Sequence, residues 1–141
     1  MTHTARHPLS RRDILTAIGY GAGIWVFATG LITTLGPWLI PNAGSWAGVL
    51  TIVAFAALAL GLTMLAYLLY RRTRVDSLTS RLLFGTGIAA TGLLLDAVVY
   101  AAAAGRYPLL AEAQQGPVAF FLVFAYGALL VAPHLVGKTP E

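Results

Sequence analysis

The stretch TGLLLDAVVYAAAAGRYP, residues 91–108, sets an aspartate inside an apolar run. Asp96 stands between Leu95 and Ala97, and the nearest charges along the chain are Arg81 before it and Arg106 after it. On a helix Arg106 is about 15 Å away along the axis, beyond comfortable side-chain reach. A carboxyl so placed has two chemistries open to it. Neutral, it exchanges hydrogen bonds with neighbouring helices; facing a hydrated cavity, it titrates and can carry a proton or a cation. Acids in membrane spans point to the bundle interior or to water, because facing lipid costs about 2.5–3.5 kcal/mol.

The neighbours of Asp96 indicate which way it points. Gly85, Ala89, Gly92 and Asp96 recur at three- and four-residue spacing, continued by Tyr100 and Ala103, so they share one stripe of a helix. Small residues let another helix approach closely. That face is therefore expected to be packed. Counted from the ends of the apolar runs, Asp96 lies nine residues before Gly105 and Tyr126 lies nine after Pro117, on a helix running the other way. Thr29 falls in the same layer, with Trp25 a turn deeper. Asp96, Tyr126, Thr29 and Tyr100 make a candidate intramembrane polar site. Asp96 is expected to be buried, neutral and hydrogen-bonded, and a titrating role stays open beside that reading.

Other chemistry finds little to rest on. The chain has no cysteine, which excludes disulfides and thiolate sites. His3 and His7 form an H-x-x-x-H in a polar tail, and His134 is a lone histidine without a facing partner for haem. No nucleophile–base pair, phosphate loop or metal-ligand cluster is recognisable. Neither enzymatic activity nor a cofactor or metal is expected.

These residues must be held by elements of an unusual solvent. The 141-residue chain is 58% hydrophobic and only 10% charged, where a soluble domain is about a quarter charged. Apolar spans run over about 14–36, 46–70, 81–104 and 117–136, each near or above the roughly 20 residues that cross a hydrocarbon core. The expected fold is all-α: one integral membrane domain over 14–137, a four-transmembrane-helix bundle between polar tails at 1–13 and 138–141. Ser10 with Asp13, Ser45, and Ser77 or Thr79 are suited to open helices, and Pro117 suits the first turn of the fourth. Gly36-Pro37 and Gly105 read as stops. Besides the stripe in span three, Gly19 and Gly23 form a G-x-x-x-G, read as a helix-packing face within the bundle or between copies. Ala54, Ala57 and Gly61 follow a similar rhythm in span two.

The basic residues are distributed unevenly. Arg6, Arg11, Arg12, Arg71, Arg72, Arg74, Arg81 and Lys138 fall on one side of the spans, and Arg106 alone on the other. This eight-to-one split predicts both termini in the cytoplasm, in a multi-pass protein of the inner membrane. Arg11, Arg12, Arg71, Arg72, Arg74 and Arg81 are accordingly read as topology determinants and contacts for anionic headgroups. The net charge of +4 is thereby assigned to lipid, with no nucleic-acid partner. Trp38, Trp46 and Tyr107 are expected at the outer interface, and Tyr67, Tyr70 and Phe84 at the inner one. SRRDIL at 10–15 resembles a twin-arginine export signal, but the long apolar run and three later spans favour an uncleaved first helix.

The segments GLLLDA at 92–97 and FAYGALL at 124–130, with Pro108 just beyond the third span, resemble a family of small four-helix bacterial membrane proteins catalogued only as a domain of unknown function. The likeness covers roughly residues 30–137. It implies four spans, with Asp96 and the pair Tyr126-Gly127 as matched positions, and it implies no activity. The sequence thus points to a structural or accessory membrane protein packing against lipid, another membrane protein or itself. A small proton- or cation-coupled transporter centred on Asp96 is the alternative.

Overall fold

The computed structural model describes residues 10–40, 45–73 and 76–136. The described residues form four helices and no strands: α1 (Arg11–Leu39), α2 (Trp46–Tyr70), α3 (Leu78–Ala102) and α4 (Glu112–Val136). The shortest have 25 residues, or about 37 Å, and all four are long and apolar enough to cross a membrane. The chain is an all-α four-helix bundle.

The helix starts follow from local polar chemistry. Ser10 Oγ accepts the Asp13 amide at 3.2 Å and Asp13 Oδ2 accepts the Ser10 amide at 3.1 Å, a complete capping box. Ser45 accepts from the Gly48 amide and Ser77 from the Ser80 amide, each at 3.1 Å. Helix α4 starts differently: Gln114 Oε1 reaches back to the Ala111 amide at 3.0 Å. That cap opens α4 at Glu112, so Pro117 lies within the helix and not in its first turn. Pro37 does not stop α1 either; the helix continues to Leu39, and the Ile40 amide donates to the Gly36 carbonyl at 2.8 Å. Prolines are accommodated in membrane helices because neighbouring helices and side chains satisfy the carbonyls they orphan. At the end of α3 the backbone turns left-handed at Ala104 (φ +52°) and Gly105 (φ +79°), and the Gly105 amide donates to the Tyr100 carbonyl at 2.7 Å. Glycine suits that turn because it has no Cβ to strain.

Packing does not follow chain order. Helix α1 lies on α3, α3 on α4 and α4 on α2, while α1 and α2 touch at only a few points. Two clusters fill the interior. One, towards the end that carries the α2–α3 connection, joins Tyr67, Tyr70 and Phe84 with Ile88 and Leu129. The other, towards the opposite end, joins Ile32, Ile40, Tyr107, Val118 and Phe121. Tyr67, Tyr70, Phe84 and Tyr107 are buried within the bundle, whereas Trp38 and Trp46 are more than four-fifths exposed. The outer faces present Leu50, Leu94, Val98, Phe120 and Val123, as expected of surfaces solvated by lipid.

The glycines divide by face. A Cβ on Gly21 would stand 2.9 Å from the Ile88 Cα, and one on Gly87 would stand 2.8 Å from the Ala17 Cβ, so α1 and α3 meet there. Gly85 sits 3.1 Å, by the same measure, from the Leu130 carbonyl oxygen of α4; Ala89 and Gly92 are buried on the same side. Gly19 and Gly23 are not packing positions within the bundle. Each is two residues from Gly21, about 200° around the helix, and a Cβ on either meets nothing within 4 Å. Ala54, Ala57 and Gly61 are exposed for the same reason, and α2 packs through Ala56, Thr63, Ala66 and Tyr67 instead.

Gly21→Ala should cost about 1–3 kcal/mol by overpacking against the Ile88 backbone, read as thermal stability in detergent. Gly23→Ala, with open space at its Cβ, should leave stability unchanged or raise it. Equal losses at both positions would mean that the α1–α3 face is misassigned.

Candidate functional site

Asp96 is 5% exposed, and both of its carboxyl oxygens are engaged. Trp25 Nε1 of α1 donates to Oδ1 at 2.7 Å, and the Tyr126 hydroxyl of α4 donates to Oδ2. Three helices are thereby joined through one side chain of α3. No basic side chain stands within ion-pair distance of Asp96 among the described residues. Gly92 makes the arrangement possible. A Cβ there would stand 2.7 Å from the Tyr126 ring and 2.9 Å from its hydroxyl, so the ring lies over the glycine and reaches Asp96 one turn later.

The other sequence-proposed members are close by but differently bonded. Thr29 does not reach Asp96; its hydroxyl accepts from the Tyr107 hydroxyl at 3.1 Å. Tyr107 is buried on the α3–α4 connection, where Gln115 grips its backbone from both sides, accepting from its amide at 2.6 Å and donating to its carbonyl at 3.0 Å. Burial pushes the Tyr107 phenol up to about 12, so it remains a donor at any ordinary pH. Tyr100 packs edge-on against the Tyr107 ring, with centroids 5.8 Å apart. Its buried hydroxyl has no hydrogen-bond partner among the described residues. An interior cavity of about 50 Å³ is lined by Asp96, Trp25, Thr29, Tyr107 and Tyr126.

A second polar cluster sits between α2 and α3, and it corrects the reading of Arg81 as a headgroup contact. Arg81 is 8% exposed, and it donates to Asp76 through Nε at 2.9 Å and through a terminal nitrogen at 3.2 Å. The Tyr67 hydroxyl donates to the same carboxylate at 2.6 Å. The hydrogen bonds from Arg81 hold the Asp76 carboxyl below the usual aspartate range, with that from Tyr67 adding to the effect. Arg71 is drawn inward as well, donating to the Val136 carbonyl at 3.3 Å. Arg11, Arg12 and Arg72 are exposed. Arg74, like His3, His7 and Lys138, lies outside the described residues. Arg106 and Glu112 approach to 3.8 Å at the surface, a pair worth little in solvent. No group of three His, Cys, Asp or Glu able to hold a metal occurs among the described residues.

Sequence reasoning missed Gln114, whose side-chain amide donates to the carbonyls of Gly36 and Pro37 at 3.4 and 3.3 Å and to that of Ile40. It also missed Asp76. A glutamine three residues after the residue that precedes a helix is a capping signal, and an acid five residues before Arg81 is a pairing signal. Comparisons with protein-family models, with curated proteins and with solved structures gave no match. The likeness of GLLLDA and FAYGALL therefore remains one of short motifs.

Gly92→Ala should cost about 1–3 kcal/mol in thermal stability, because its Cβ displaces Tyr126 from Asp96. A double-mutant cycle with Tyr126→Phe should be non-additive, since both changes disturb one bond. Leu94→Phe, on a position 69% exposed, should change little. A Gly92→Ala protein as stable as the parent would remove the glycine from the site.

Proposed function

We propose that the chain is a non-enzymatic accessory protein of the bacterial inner membrane, packing through its outer faces against lipid or another membrane protein. In this reading Asp96 is a lock and not a carrier. The observation that carries it is the occupation of both Asp96 oxygens by donors from two other helices, Trp25 and Tyr126. A carboxyl that loads and unloads a proton or a cation must give up such bonds at each cycle, whereas a fixed pair holds α1, α3 and α4 in register. The eight-to-one division of Lys and Arg supports a single orientation, with both termini in the cytoplasm. Reporter fusions at both ends and at Gly44 should then place only Gly44 outside. A periplasmic C-terminus would refute that orientation.

A proton- or cation-coupled transporter is the second reading. What favours it is the interior cavity beside Asp96, together with the unpartnered Tyr100 hydroxyl. A space of about 50 Å³, mostly apolar but with Asp96, Thr29, Tyr107 and Tyr126 in its wall, is large enough for a water molecule.

Substitution of Asp96 separates the two. Asparagine can accept from the Trp25 indole through Oδ1 and donate to the Tyr126 oxygen through Nδ2, which keeps both bonds without a titratable proton. Leucine breaks both and strands the indole N–H and the phenol. Interhelical hydrogen bonds average about 0.6 kcal/mol and reach about 1.7, so Asp96→Leu should lose about 1–3 kcal/mol. Under the accessory reading Asp96→Asn keeps both stability and cellular phenotype. Proton flux in proteoliposomes that Asp96→Asn abolishes at undiminished stability would establish the transporter instead.

A further inference from the structure

The sparse contact between α1 and α2 leaves a groove of about 610 Å³ open on one flank. Thr16, Gly19, Gly23 and Phe27 line it from α1, and Leu62 and Leu69 from α2. The wall is almost wholly apolar, and the Thr16 hydroxyl is already spent on the Arg12 carbonyl at 2.7 Å. From Thr16 to Phe27 the groove runs about 16 Å, half of a 30 Å hydrocarbon core. Beyond Phe27 and Leu62 the interior is filled by the second cluster, where Ile32 is buried and Ile52, Phe55 and Ala59 of α2 pack. A partner helix crossing the bilayer would need a face running the full depth. One acyl chain of one leaflet needs only this much.

Charge is placed at the corresponding mouth. Arg12 is one turn before Thr16 on the same face of α1, and Arg72 lies one turn past Leu69, its amide donating to the Leu69 carbonyl at 3.2 Å. Both are exposed, and among the described residues neither is ion-paired. The neighbouring acid, Asp13, accepts two bonds from Ser10 in the helix cap.

We propose that the groove between α1 and α2 seats one acyl chain of an anionic glycerophospholipid whose phosphate is held by Arg12 and Arg72. This rests on the accessory reading and gives it a ligand. The lipid closes the flank that the chain leaves open, its tail against Gly19 and Gly23, where the missing side chains make room.

The test is native mass spectrometry of the full-length chain released from vesicles of equal phosphatidylethanolamine and phosphatidylglycerol. One phosphatidylglycerol should be retained in preference to phosphatidylethanolamine. Arg12→Gln and Arg72→Gln should each lower its retention about fivefold. Gly19→Leu with Gly23→Leu should abolish it while leaving the bundle folded, because a Cβ at either position meets nothing within 4 Å. Equal retention of the two lipids, retention that survives filling of the groove, or a dimer that groove filling dissociates would each overturn the proposal. Asp96→Asn should leave retention unchanged. If that variant abolishes proton flux while still holding the lipid, the accessory reading fails and the lipid site stands.

Discussion

Hydrocarbon offers no hydrogen bonds, so every polar group the chain carries into a bilayer must be satisfied by the chain itself. Most of this structure can be read as compliance with that rule. Thr16, Thr33, Thr51, Thr63, Thr86 and Thr91 return their hydroxyls to helix carbonyls four residues back. Gln114 covers the carbonyls that α1 leaves open at its end, and Arg71 does the same for Val136 on α4. Asp96 obeys the same rule with partners on two other helices. The bonds of Gln114, Arg71 and Asp96 satisfy polar groups and at the same time tie one helix to another.

Local chemistry was legible in the sequence because it depends on neighbours along the chain. Ser10, Ser45 and Ser77 cap as their positions indicate, and the second span runs over the residues its apolar pattern marks. Asp96 was readable as inward-facing from the small residues a turn and two turns before it. What could not be read is which face of a uniformly apolar helix meets which neighbour. Gly19 and Gly23 have the spacing of a packing motif, yet Gly21 between them makes the contact. Arg81 has the composition of a headgroup contact, yet Asp76 turns it inward. Thr29 lines the same cavity as Asp96, as its depth indicates, but its bond is to Tyr107, which arrives from a connection whose path no periodicity describes.

The interior and the flank of the bundle are built on opposite terms. Around Asp96 the helices are drawn together by hydrogen bonds and by glycines that admit a tyrosine ring. Between α1 and α2 the same residue type, glycine, leaves a groove that no described residue fills. A protein with a fixed interior and an unfilled side is suited to be completed by something else in the membrane.

The order of packing also constrains how the bundle is made. Helices α1 and α2 leave the ribosome first, and their mutual contact is slight. An early helical hairpin normally protects itself by pairing, but this one has almost nothing to pair with. The Trp25 indole must wait for Asp96, and the carbonyls at the end of α1 must wait for Gln114. The contacts that complete α1 therefore come from the second half of the chain, and until that half is present the first half lacks the partners that hold it in the bundle.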